Sequence, residues 1–320
     1  MKSAETIWWL SLLPGVARLF GSVFAGIFIG ALMETVPIPS RGRRLMHSFV
    51  RLSRLPPACG PAFIASFVSP RAGNTMLAAA RENGAISRRA MILGALANSF
   101  PAAFVHLRST AFILIPLLGL AGLGYVVFQI LAGMSCALAA IGMAHWLPLP
   151  DQEKETPLAP PAVHRHSWGS VFRQAWRQAH RLLWRVSLIT LPLFILISWL
   201  DHNRHLDQLA GLLPASLTSV LPPSALIVTA AHLTNVINAA GVASGFLRAG
   251  ELSSTQVLLT FVIGYGLSIP IRAVRHTLPA TIGIFSGRDG VWIATLTQII
   301  RLLFTFFTAT LLVLLIQAAS

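Results

Sequence analysis

The stretch LPPACGPAFIASFVSPRAGNTMLAAARENGAISRRAMILGALANSFP (residues 55–101) has a second, divergent copy in LPPSALIVTAAHLTNVINAAGVASGFLRAGELSS (residues 221–254). Leu55-Pro56-Pro57 matches Leu221-Pro222-Pro223 at an offset of 166, where Gly84, Ile86 and Ser87 also meet Gly250, Leu252 and Ser253. A three-residue insertion then brings Phe100-Pro101 opposite Ile269-Pro270 and His106 opposite Arg275. The apolar piece Leu55 to Pro70 is too short and too broken by prolines to cross a bilayer, which takes about 20 apolar residues. It reads as one limb of a re-entrant hairpin, Leu55 to Arg81, and Pro222 to Arg248 reads as a second. Such backbone is tolerated at membrane depth only where protein or a water-filled cavity satisfies its polar groups.

Outward from these copies the rest of the chain is equally apolar. The 320 residues are 55% hydrophobic and only 11% charged, with a mean hydropathy of +0.71; soluble domains carry about 25% charge. Charge-free windows at 19–33, 55–70, 90–107, 109–150, 186–200, 208–247, 252–271 and 302–320 predict about six full spans plus shorter pieces. Their apolar residues run consecutively instead of alternating, which excludes an outer-membrane barrel. The fold class expected is an all-α polytopic membrane protein of two inverted repeats, each with a re-entrant hairpin and a Pro-broken helix. Residues 1–147 form the first repeat, the Pro-rich stretch 148–167 a linker, 168–185 an amphipathic interfacial helix and 186–320 the second repeat. Ala90 to Leu107 is a span interrupted at Pro101. Ser109 to Pro150 holds a half-helix and a full span separated near Gly119 to Gly124, and Leu252 to Ile271 is a span interrupted at Pro270. A last span runs from Val291 to Ile316.

A net charge of +14 would suggest nucleic acid in a soluble chain, but here the arginines flank apolar windows and read as topology and headgroup anchors. Arg41, Arg43, Arg44, Arg51 and Arg54 mark a cytoplasmic loop. Arg173, Arg177, Arg181 and Arg185 recur every four residues and make a basic stripe suited to anionic lipid. With both segments cytoplasmic and 201–213 outside, each half crosses an odd number of times, so the halves come out inverted. Paired broken segments in inverted halves point to a midplane binding site. A multi-pass protein of a bacterial-type inner membrane follows, with a homo-oligomer left open.

On these residues the chain resembles the Gate, or nucleoside-recognition, domain of spore maturation proteins A and B and of the membrane part of ferrous-iron permeases. The stretch from Gly60 to Pro101 carries the likeness most clearly, and the second half resembles a divergent copy. The resemblance implies a fold related to concentrative nucleoside transporters, with two hairpins and two unwound helices meeting at the centre. Two departures stand out. There is no GxxxxGK[ST], and the core windows contain no Asp or Glu of the kind that holds a sugar or a coupling ion.

Polar residues are stranded in the apolar windows, Tyr265 before Pro270 among them, and the candidate substrate ligands are Asn98 and Ser99 before Pro101, His232, Asn235 and Asn238 in the second hairpin, Ser268 before Pro270, and Arg272 and Arg275 after it. The spacing of three puts His232, Asn235 and Asn238 on one face if they share a helix. Gln129 and Gln298 read as interhelical hydrogen-bonding residues. Arg108, Arg272 and Arg275 beside the two breaks, with no acidic partner in the neighbouring windows, point to an anionic solute; snorkelling to headgroups is the competing reading. Cys59 and Cys136 support neither a disulfide framework nor a thiolate zinc site. No metal or cofactor is expected. No catalytic grouping can be assembled, so an enzyme is not expected. The function expected is a secondary-transporter-like permease binding a small anionic solute at the midplane; the alternative is a scaffold or regulatory membrane protein that keeps a transporter-like fold without transporting.

Overall fold

The computed structural model describes residues 52–146, 221–285 and 287–319, together with the isolated positions 48, 169, 172, 173 and 176. The expected first span, the basic loop at 41–51, the linker, nearly all of the interfacial helix, the span at 186–200 and the loop at 201–213 lie outside the described residues. Among those described, every regular element is helical.

The first hairpin pairs α1 (Cys59–Ser66) with α2 (Pro70–Glu82). Ser69 caps α2 by accepting from the Ala72 N–H, and Pro70 occupies its first turn, where a missing N–H costs nothing. Ser87 caps α3 (Arg88–Ala97) in the same way, and α4 (Ser99–Leu118) follows after Asn98. Pro101 has no N–H to bond the Ala97 carbonyl. The span therefore divides at Asn98, one turn before the proline. Residues 109–118 are not a separate half-helix but the continuation of α4, which runs on through Pro116. Gly119, at φ 55°, makes the turn into α5 (Leu120–Trp146).

In the second half, α6 (Pro223–Thr234) and α7 (Val236–Ala249) form a hairpin jointed at Asn235, whose backbone is extended. Ser253 and Gln256 form a capping box at the start of α8 (Ser254–Arg272). The interruption expected at Pro270 falls after it: α8 runs through the proline to Arg272, and the irregular backbone is a π-helical turn at Ala273–Thr277. α9 (Leu278–Phe285) and the long α10 (Gly287–Ala319) complete the chain.

Among the described residues, four helical segments are long and apolar enough to cross a bilayer: Arg88–Leu107, Leu120–Trp146, Ser254–Arg272 and Gly287–Ala318. The protein is thus a multi-pass all-helical membrane protein. Much of α10 is exposed, including Leu303, Phe306 and Phe307; lipid tails accommodate such a face at no cost. Because lipid is as apolar as leucine, association here relies on close packing of small residues. On α5 the buried Gly133, Ala137, Ala140 and Ala144 make such a stripe.

Two apolar clusters organise the packing. One joins α6, α7 and α8 with the end of α4, the start of α5 (Ala121, Tyr125, Phe128) and Leu312 near the end of α10. The other joins α1, α2 and α3 with the end of α5 (Ala140, Ala144), with Phe285 of α9 and with Ile293 near the start of α10. Each hairpin consequently packs at a different end of α5. Phe128 stacks on Phe304 at 5.8 Å, and the Cys136 thiol donates to the Thr297 carbonyl at 3.8 Å. Moving forward along α5 from Phe128 to Cys136 moves backward along α10 from Phe304 to Thr297, so the two helices run antiparallel. At the first turns of α3 and α10, Arg88 Nε donates to Asp289 Oδ1 at 2.7 Å. That pair is exposed and is worth at most about 1 kcal/mol.

Candidate functional site: a polar junction at the helix crossing

α5 presents Tyr125, Phe128 and Cys136 toward α6, α8 and α10 on successive turns. The Tyr125 hydroxyl meets His232 Nε2 at 3.0 Å, and Phe261 of α8 closes edge-on against both rings, at 5.1 and 5.4 Å. One turn further along, Phe128 packs edge-to-face on Tyr265 at 5.2 Å. Arg272, two turns beyond Tyr265 on α8, folds back over that ring with its guanidinium carbon 4.2 Å from the centroid. Its Nη2 donates to the Tyr265 carbonyl at 3.3 Å. From α10, Arg301 lies close to the same tyrosine and to Cys136. The Nε atoms of Arg272 and Arg301 are buried without a hydrogen-bond partner.

Two guanidiniums thus lie against one tyrosine, and no carboxylate among the described residues answers them. Glu82 and Glu251 are exposed at the ends of the hairpin helices, and Asp289 is held by Arg88. A charged residue at bilayer depth costs about 2.5–3.5 kcal/mol by the lowest scale, which the cation–π contact and the hydrogen bonds to Tyr265 offset only in part.

The expected ligands divide into three places. His232, Ser268 and Arg272 join this junction, with the Ser268 hydroxyl donating to the Tyr265 carbonyl at 2.8 Å. Asn98 and Ser99 are buried at the other break, where Asn98 Nδ2 donates to Asn74 Oδ1 at 3.0 Å. A Cβ on Gly133 of α5 would stand 3.0 Å from the Ser99 carbonyl, so the missing side chain lets this break approach the middle of α5 closely. Asn235 and Asn238 are elsewhere. They do not share a helical face with His232, because the chain reverses at Asn235. Asn235 caps α7 by accepting from the Ile237 N–H at 2.8 Å, and Asn238 donates to Thr234 Oγ1 at 3.2 Å across the joint. Arg275 lies in the π-helical turn, and its side chain, like that of Arg108, is outside the described residues. Gln298 donates to Thr277 Oγ1 at 3.0 Å and ties α10 to that turn. Sequence reading missed Tyr125 and Arg301, and it noted Tyr265 as a polar residue in an apolar window without taking it as a ligand. Arg301 had a signal: it is the one charged residue inside Val291 to Ile316.

Truncating Tyr125 to Phe leaves His232 Nε2 without its partner. Measured by unfolding in detergent, a double-mutant cycle of Tyr125→Phe with His232→Leu should show coupling of about 1 kcal/mol, the range of interhelical hydrogen bonds in membranes. Strictly additive losses would dismiss the bond as a stabilising contact.

The chain is similar to three uncharacterized proteins of Methanocaldococcus jannaschii. One is 27% identical over 288 residues, 89% of each chain; a second is 26% identical over 292 residues, 88% of this chain and 90% of the other. The third is 20% identical over 314 residues, 95% of this chain and 99% of its own. All three likenesses run along nearly the whole length, so both halves and the segment between them recur together. No family model and no solved structure matches the chain.

Proposed function

We propose that this protein is a permease-like membrane protein of two inverted repeats, related to the Gate domain, that binds a small anionic solute where its broken helices meet. The observation carrying this reading is the antiparallel crossing of α5 and α10 with a hairpin packed at each end. These helices are the last spans of the two halves. Halves of the same orientation would place them parallel, whereas inverted halves place them antiparallel.

Backbone details support the repeat at the offset read from the sequence. Leu55 and Leu221 are both buried ahead of their hairpins. Gly84 and Gly250 both adopt left-handed backbone, at φ 73° and 76°, and Ser87 and Ser253 both cap the helix that follows. Contacts between the halves also come in pairs: α5 on α8 is answered by α10 on α3, and α4 on α7 by α9 on α2. A duplication retained only for packing has no need of two buried guanidinium nitrogens without a carboxylate among the described residues to answer them, and this favours a solute site. An archaeal or bacterial cytoplasmic membrane suits the reading equally.

Two measurements test it. With Cys59 and Cys136 replaced by alanine, cysteines introduced at the exposed positions Asn83 and Gly250 should label from opposite sides of the membrane in intact cells; labelling of both from one side would overturn the inversion. Second, Arg272→Gln should weaken any identified anionic ligand about tenfold or more. A snorkelling arginine would leave affinity unchanged, and a neutral or cationic ligand would refute the anion reading. A metabolite panel without any stabilising ligand would favour the scaffold.

A further inference from the structure

The register between α5 and α10 singles out one residue. Phe128 faces Phe304 and Cys136 faces Thr297, so midway between them Ala132 faces the turn that carries Arg301. The offset that pairs Pro101 with Pro270 also pairs Ala132 with Arg301. Two positions that are equivalent by the repeat and also face one another lie on the axis relating the halves. Ala132 is 1% exposed. Arg301 sits about 20 Å or more from either end of α10, counted at 1.5 Å per residue.

We propose that Arg301 is the anchor of the solute site, and that it takes with Arg272 a doubly charged oxyanion, a phosphate group or a dicarboxylate, at the axis between the halves. The inference rests on the permease reading above and adds to it the anchoring residue and the charge of the solute. Two guanidiniums converge on Tyr265 from different helices, Arg272 over the ring and Arg301 from close beside it. Each leaves its Nε unbonded, and Nε with one Nη is the pair of donors that a carboxylate or phosphate engages side by side. A monoanion would neutralise one cation and leave the other. A dianion matches both. Arg272 and Arg301 belong to α8 and α10, which both pack on α5 of the other half, so an anion held between them bears on the contact along which two halves would rock.

The test uses the purified full-length protein in detergent and in nanodiscs of neutral lipid. Thermal unfolding is followed during titration with sodium phosphate, sodium sulfate and sodium succinate, against sodium acetate and chloride at matched ionic strength. A saturable rise in the midpoint with at least one dianion and not with acetate is expected. Arg301→Gln should weaken that dependence about tenfold or more, and Arg301→Lys, which keeps the charge but loses the fork, by less. A surface variant, Arg89→Gln, should not change it. Nanodiscs doped with phosphatidic acid separate the sources: if the stabilisation depends on Arg301 and appears there alone, the oxyanion is a lipid headgroup. No saturable response to any dianion or to phosphatidic acid, equal response to acetate, or a response that survives Arg301→Gln overturns the proposal. In the last case a response lost in Arg272→Gln leaves the permease reading standing without Arg301, whereas hairpin cysteines labelled from one side would remove the reading beneath it.

Discussion

Replacing Gly122 by valine is expected to cost about 3 kcal/mol and to leave little folded protein after extraction from the membrane. α4 and α5 are joined by a single turn at Gly119, and the first turn of α5 lies directly against the last turns of α4. A Cβ on Gly122 would stand 2.3 Å from the Leu114 carbonyl oxygen and 2.6 Å from its carbon. Those atoms belong to the backbone of a helix, so no side chain can rotate aside; the two helices must part. Gly290 at the start of α10 makes a similarly close approach, its Cβ position 2.6 Å from Cα and N of Ile282 on α9, and Gly290→Val should cost a similar amount. Gly142 supplies the control, since nothing lies within 4 Å of its Cβ position. There Gly142→Ala should be neutral or stabilising by up to about 1 kcal/mol through helix propensity. Unfolding midpoints of the three variants in one detergent check the idea, and a Gly122→Val protein as stable as the Gly142→Ala protein would refute the close α4–α5 packing.

Arg301→Met should raise the stability of the ligand-free protein by about 1–2 kcal/mol while abolishing stabilisation by dianions. The sign follows from comparing two magnitudes. An arginine at the bilayer centre costs at least about 2.5 kcal/mol. Against that, the variant loses the proximity of the guanidinium to Tyr265 and Cys136, worth about 0.6 kcal/mol for each even at the average for interhelical hydrogen bonds. Methionine fills most of the same volume and adapts to the gap. A group kept at a net cost to the fold is what a binding site requires, and its removal trades function for stability. A purely structural Arg301 predicts the opposite sign: Arg301→Met would lower the unfolding midpoint, and Arg301→Lys would fall between it and the wild type.

Local chemistry explains which expectations held. Proline-proline ahead of each hairpin, the glycines closing them and the serines starting the next helix act through their own backbone or side chain within a turn or so of sequence. They could be located without knowing what packs against them. Where a proline disturbs its helix was less legible. Pro101 divides a helix at Asn98, but Pro270 is carried inside α8 with the irregularity displaced to Ala273–Thr277. Both prolines delete the same N–H; the difference lies in the neighbours that receive the backbone. The hairpin polar residues failed for a related reason. Spacing by three implies a shared face only within one helix, and Asn235 ends one helix and caps the next.

Composition and the repeated LPP pattern by themselves determined that this is a helical multi-pass membrane protein with two hairpins, because hydrophobic length and helix punctuation are additive along the chain. Which polar residues meet was decided by tertiary structure alone. Tyr125 and His232 are 107 residues apart, and Arg301 looked like the edge of an apolar window until α5, α8 and α10 closed around it. Its burial depends on the antiparallel register of α5 and α10, and register is a property of the pair of surfaces, carried by neither helix separately.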